Sequence, residues 1–154
     1  MKKFKKYLIV VLLVGIFTLT GCSLNKKALT ASEVKEKVEK LGFEVFDSKE
    51  EFGEVDYLTN ALQLGNSNFY VEFIELKDKE TAKILFQNNK EQIDDNRKGD
   101  FKNKSTSGNN YETYELIRDG YYMYVCKVDN TILYVDDKVE FESEMKQIIK
   151  ALNY

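Results

Sequence analysis

The chain has 154 residues, 26 acidic against 23 basic side chains, and a formal net charge of −3. It contains no histidine, proline or tryptophan. Without histidine there is no Ser-His-Asp or Cys-His catalytic arrangement and no zinc site of the usual histidine-bearing types. An acidic chain is also a poor match for nucleic acid, whose phosphates attract basic surfaces. Length and composition therefore indicate one domain and argue against several common function classes.

The N-terminus combines a basic start with a short apolar stretch. Four lysines between Lys2 and Lys6 precede residues 7–19, which are almost wholly apolar. These 13 residues reach only ~20 Å along a helix, which is short of the ~30 Å hydrocarbon core of a bilayer. The pattern is typical of a secretory signal peptide.

The apolar stretch is followed directly by Leu19-Thr20-Gly21-Cys22. These residues resemble the lipobox of bacterial lipoproteins, in which an aliphatic and two small residues precede a cysteine. The resemblance covers only residues 1–22. It implies that Cys22 is diacylated, becomes the new N-terminus, and anchors the protein durably to the extracytoplasmic face of the cell membrane. The alternatives are an ordinary signal peptide with an incidental cysteine and an uncleaved anchor.

Cleavage before Cys22 would divide the chain into three parts. Residues 1–21 are the removed signal peptide, residues 22–31 a lipidated tether, and residues 32–154 a single domain. Loss of four lysines lowers the formal net charge from −3 to −7. The tether lacks the glycine and proline of a long stalk, so the domain is expected close to the membrane. We expect neither nucleic acid nor a cofactor as a partner.

The first half of the domain predicts a helix, three strands and a second helix. Thr30 and Glu33 stand at capping-box spacing before a helical pattern that stops at Gly42. Strand patterns cover residues 43–46, 55–64 and 69–76, with a turn at residues 65–68. Asp78 is the predicted cap of a helix that extends to about residue 94.

The second half predicts a polar stretch, three strands and a final helix. Residues 94–110 show no periodic pattern and form the least structured part. Strands are predicted at residues 111–117, 121–128 and 131–135, joined by two-residue turns. The middle strand is apolar on both faces, which predicts a central position in the sheet. The final helix is predicted at residues 139–152, with Asp137 and Glu140 at its capped start.

These elements indicate an α+β fold in the order α-βββ-α-βββ-α. We expect a single antiparallel sheet of about five to six strands, with amphipathic helices packed on one face.

Six tyrosines on the last three predicted strands form the candidate binding surface. They are Tyr111, Tyr114, Tyr121, Tyr122, Tyr124 and Tyr134. On neighbouring antiparallel strands several of these rings should pair across the sheet. If helices leave one face uncovered, the rings form an exposed aromatic platform for a protein or small ligand. The alternative is that the rings pack in the core, because tyrosine favours strands in any case.

Two further features carry weaker hypotheses. Cys126 has no disulfide partner once Cys22 is lipidated, and its apolar surroundings predict a buried structural cysteine. The sequence from Asp94 begins like a calcium loop, but Ser105 stands where a bidentate glutamate is needed. No metal site is therefore predicted.

The leading interpretation is a non-catalytic binding or accessory domain of the cell envelope. Its expected partners are the membrane, through lipid on Cys22, and an envelope protein or a small ligand. One alternative is a hydrolase of cell-wall or glycan material, which requires a concave site with two carboxylates of raised pKa. A third is a subunit whose sheet edge or tyrosine face docks on another envelope protein.

Overall fold

A computed structural model describes residues 25–95 and 102–154 as one antiparallel sheet with three helices. The helices are α1 (Ala31–Glu39), α2 (Lys79–Asp95) and α3 (Glu142–Leu152). The strands are β1 (Glu44–Asp47), β2 (Leu58–Gly65), β3 (Tyr70–Leu76), β4 (Lys102–Ser107), β5 (Tyr111–Arg118), β6 (Tyr121–Val128) and β7 (Thr131–Lys138). Short 3₁₀ turns cover Lys49–Phe52 and Val139–Phe141. The predicted signal peptide and Cys22 lie outside the described residues.

The seven strands follow the order β1-β2-β3-β7-β6-β5-β4, and every neighbouring pair is antiparallel. The pairing of β3 with β7 joins the two halves of the chain into one sheet. The predicted turns Asp119-Gly120 and Asp129-Asn130 connect β5 to β6 and β6 to β7. Asp119, Gly120 and Asp129 adopt the positive φ angles that such tight hairpins require. The α+β class is thus confirmed.

Helices cover both faces of the sheet, so the prediction of helices on one face was wrong. Along β6, Tyr122 and Cys126 belong to one buried cluster, and Met123 and Val125 belong to another. We call the side of Tyr122 the first face and the side of Val125 the second face. α1 and α3 pack on the first face, and α2 packs on the second. A strand that is apolar on both faces needs cover on both, which is the physical reason for the three-layer arrangement.

The strand count was also too low, because β4 was predicted as part of the unstructured stretch 94–110. All six residues of β4 are exposed, and the strand is held to β5 in register from Lys102–Ile117 to Ser107–Glu112. An edge strand that buries neither face shows no alternation in its sequence. The observed order is therefore α-βββ-α-ββββ-α.

Two of the three predicted helix caps are confirmed. Thr30 Oγ1 accepts from Glu33 N at 3.3 Å, and Glu33 Oε2 accepts from Thr30 N at 3.0 Å, which completes a capping box. Asp78 Oδ1 accepts from Thr81 N at 2.8 Å. The cap at Asp137 was wrong, because this residue lies in β7 and accepts from Lys138 N at 2.7 Å. A 3₁₀ turn separates it from α3.

Tyr154, at the C-terminal end of the described chain, packs on the sheet and holds the N-terminal segment against it. The Tyr154 hydroxyl accepts from Leu29 N at 3.2 Å and is hydrogen-bonded to Thr131 Oγ1 at 2.5 Å. Its ring packs edge-on against the fully buried Phe73 at 6.1 Å. The N-terminal segment is thereby fixed against the first face before α1 begins. No helix within the described residues has the length and apolar character needed to span a bilayer.

Candidate functional site: an aromatic groove on the second face

The six predicted tyrosines do not form an exposed platform. Tyr111, Tyr122 and Tyr124 point to the first face, and Tyr114, Tyr121 and Tyr134 point to the second. Tyr111, Tyr114, Tyr122 and Tyr124 are all buried, between 1% and 9% exposed. Alternation along each strand separates the rings, and helices then cover both faces. The prediction of one tyrosine surface was therefore wrong.

The buried tyrosines act as core side chains. The Tyr122 and Tyr124 rings stack at 6.5 Å, and burial raises the pKa of both hydroxyls. Tyr114 donates its hydroxyl to the Asp94 carboxylate on α2. Cys126 is fully buried, as expected, and burial raises the pKa of its thiol to about 11. A thiol in such surroundings is a poor nucleophile.

The large apolar side chains that are exposed are mainly other residues. The large apolar side chains that are 40–56% exposed are Phe46, Phe52, Tyr57, Tyr70, Ile84 and Tyr121. The three on strands, Phe46, Tyr70 and Tyr121, point to the second face. The remaining three lie on segments packed over that face. Exposed apolar groups gathered on one side of a domain indicate an interaction site.

A groove of about 260 Å³ opens on the second face, between α2 and the segment that joins β1 to β2. The floor comes from strands β3 and β7, and the aromatic rim comes from the joining segment. Its lining includes Phe52, Val55, Tyr57, Glu72, Ile74, Leu85, Asn89, Gln92 and Tyr134. Of the predicted tyrosines, only Tyr134 lies in it. The mixture of apolar walls with a few amide and carboxyl groups is typical of a ligand site.

The placement of α2 leaves the groove open. The helix packs over β6, β7 and β3 through Ala82, Phe86 and Ile93. The part of the second face nearer to β1 and β2 receives no helix among the described residues. The joining segment rises beside it and is held by two backbone bonds, Ser48 N to Ala61 O and Lys77 N to Tyr57 O, both 3.0 Å.

One carboxylate, Glu72, lies in the groove floor, and Asp136 lies on the same face of β7. Glu72 is paired directly with Tyr134 across β3 and β7, and burial raises the pKa of its carboxyl. Burial, with the charge of Asp136 nearby, also raises the pKa of Tyr134 to about 12. The pKa of Asp136 is itself raised by burial and by Asp137. No lysine or arginine occurs in the described lining of the groove.

Replacement of Glu72 by glutamine is expected to flatten the pH dependence of stability. Because the folded-state pKa of Glu72 is raised above its ordinary 4.5, the native state holds this proton more tightly than the unfolded state. Its contribution is therefore fully present below pH 4.5 and is lost as the pH rises through the raised pKa. Urea unfolding measures the free energy of unfolding at acid and at neutral pH. The decrease in this free energy from acid to neutral pH should be smaller for E72Q than for wild type. E44Q, at an exposed position on β1, should show the same pH dependence as wild type. If E72Q also shows the wild-type pH dependence, the raised pKa of Glu72 is not its source.

Most groove residues lie in elements that the sequence predicts, but the sequence pattern does not show that these residues meet around an open part of one face. Phe52 is the exception, because it lies in a polar acidic segment, where an isolated aromatic residue gives no period. The period of two in β3 places Tyr70, Glu72 and Ile74 on one face, but the sequence does not show whether a helix covers that face. Comparison with known proteins found no matching family model, curated protein or solved structure.

Proposed function

We propose that the chain is a lipid-anchored extracytoplasmic lipoprotein that acts as a non-catalytic binding domain of the cell envelope. Support for the anchor comes from the order of basic start, apolar stretch and Leu19-Thr20-Gly21-Cys22. The observation that carries the binding function is the groove, whose apolar lining includes two of the exposed large side chains of the described chain, Phe52 and Tyr57. The Glu72 and Tyr134 pair on the floor is the centre of the site.

The ligand is an apolar group that carries a positive charge, as on a lysine- or arginine-bearing segment of an envelope protein. Aromatic faces at Phe52 and Tyr57 attract both apolar groups and cations. Glu72 supplies negative charge inside the groove, with Asp136 beside Tyr134 on the same face. An anionic ligand would meet these carboxylates without a basic side chain in the described lining to balance its charge.

A titration with two probes of matched body and opposite charge tests this function. Phenethylammonium is expected to shift the backbone amide resonances of groove residues and to bind about fivefold more tightly than phenylpropionate, which is ~1 kcal/mol. Tyr57→Ala should weaken binding of the cation. Ile84→Ala, an equally exposed apolar residue outside the groove lining, should not.

Two results would contradict the binding function. Equal affinity for both probes, or resonance shifts spread over the whole surface, would show that the groove is not a cation-selective site.

The hydrolase alternative has one observation in its favour, the raised pKa of Glu72 and Asp136 on the face that holds Tyr134. Release of soluble fragments from purified cell walls, lost in both E72Q and D136N, would favour that alternative.

A further inference from the structure

The mature N-terminal segment is fastened to one end of the sheet. The Asn110 side chain accepts from Lys26 N through Oδ1 at 2.9 Å and donates from Nδ2 to Lys26 O at 2.7 Å. Its Nδ2 also donates to Asp129 Oδ2 at 2.8 Å, which orients the amide. The Lys26 ammonium lies over the Tyr111 ring, 5.0 Å from its centre. Both backbone hydrogen-bonding groups of Lys26 are therefore held by the domain.

The length of chain between this attachment and the proposed lipid is very short. Only four residue steps separate Cys22 from Lys26, so the two α-carbons are at most ~14 Å apart. Beyond Lys26, the buried Leu29 and its bond to Tyr154 keep the segment on the domain. The stretch before Lys26 is shorter than the predicted tether of residues 22–31, and its short length restricts how the domain can turn relative to the bilayer.

The attachment lies at one defined end of the strands. Asn110 directly precedes β5, and the same end carries the end of β3 and the turn Asp129-Asn130 between β6 and β7. The opposite end carries the turns at residues 65–68 and Asp119-Gly120. Strands of seven to eight residues place the two ends about 25 Å apart.

We infer that the end of the sheet around Asn110 and Asp129 faces the membrane and rests against phospholipid headgroups. This inference depends on the proposed lipid anchor. Four lysines, Lys26, Lys27, Lys77 and Lys79, lie at this end, beside the carboxylates Asp78 and Asp129, in a mature chain whose formal net charge is −7. Two of them also pair locally, Lys27 with Glu33 and Lys79 with Asp129 at 2.6 Å. Lysine side chains at the membrane surface favour anionic headgroups.

This orientation places the groove within reach of membrane-borne ligands. Its lower lining, Tyr57 and Leu76, lies at the membrane-facing end, where Lys77 N is bonded to Tyr57 O. The groove then extends along the side of the domain toward Glu72 and Tyr134. A positively charged segment next to the bilayer could therefore enter it from below.

Fluorescence quenching on vesicles tests the orientation. The intact lipoprotein, with a fluorophore at Asn109→Cys or Ser67→Cys, is incorporated into phosphatidylethanolamine–phosphatidylglycerol vesicles that contain a nitroxide headgroup lipid. Both positions are exposed, and the native Cys126 is buried away from the label. Fluorescence should be lost at position 109 and kept at position 67. A flexible insertion of about ten residues after Leu24 should remove the contrast, because it lengthens the tether outside the domain.

The outcomes separate the orientation from the anchor. Protein that fails to float with the vesicles would overturn both the lipid anchor and the orientation. Protein that floats but is quenched equally at both positions, or more strongly at position 67, would overturn the orientation alone. If quenching still differs between positions 109 and 67 after the insertion, the short tether is not the cause of the orientation.

Discussion

Replacement of Cys22 by alanine is expected to abolish fatty-acid incorporation completely. The lipobox resemblance makes the Cys22 thiol the acceptor of the diacylglyceryl group, and alanine has no atom that can form the thioether. Cells fed an alkyne-tagged palmitate should yield labelled wild-type protein and unlabelled C22A protein. Because the proposed lipid would supply membrane affinity through two acyl chains, the variant should also lose the lipid-mediated part of its membrane attachment.

The second cysteine provides the matched control. Cys126 is fully buried, and burial raises the pKa of its thiol to about 11, so it is a poor acyl acceptor. C126A protein should therefore incorporate label as wild type does. Label that persists in C22A, or disappears in C126A, would show that Cys22 is not the modified residue.

Replacement of Phe73 by alanine is expected to destabilise the domain by about 3–5 kcal/mol, the usual cost of truncating a fully buried phenylalanine. Its ring is 0% exposed on the first face and contacts Tyr154, which also holds Leu29 and Thr131. The cavity would therefore weaken both the core and the attachment of the N-terminal segment. Urea unfolding of the mature chain should show a clear drop in midpoint with an unchanged slope.

Phe46 is the control within the same sheet. It is 54% exposed on β1, so F46A should cost less than about 1 kcal/mol. Similar losses for F73A and F46A would contradict the described core. They would mean that the first face is not packed as described.

The sequence predicted those parts of the fold that rest on local chemistry. The capping box at Thr30, the cap at Asp78 and the two-residue turns each depend on side chains close together in the chain. The interior position of β6, between β7 and β5, followed from apolar residues on both of its faces. β4 was missed because its pairing with β5 is made by backbone groups, which leave no pattern in an exposed polar strand.

The candidate site was much less predictable than the fold. Tyrosine favours strands whether a face is covered or open, so the rings of Tyr122 and Tyr134 look alike in sequence. The first is buried under α3, and the second lies in the groove. Which face stays open depends on where α2 crosses the sheet, and an amphipathic pattern does not specify that position. Phe52 and Tyr57 reach the groove only through the path of a non-repetitive segment.

We propose that the working protein begins at a lipidated Cys22, and the position of the groove beside the membrane depends on that lipid. The most direct test is the intact mass of wild-type protein extracted from membranes. We expect the mass of the chain from Cys22 onward plus a diacylglyceryl group, and fragmentation of the N-terminal peptide should place the added mass on Cys22. An unmodified mass, or an N-terminus at any residue other than Cys22, would contradict it.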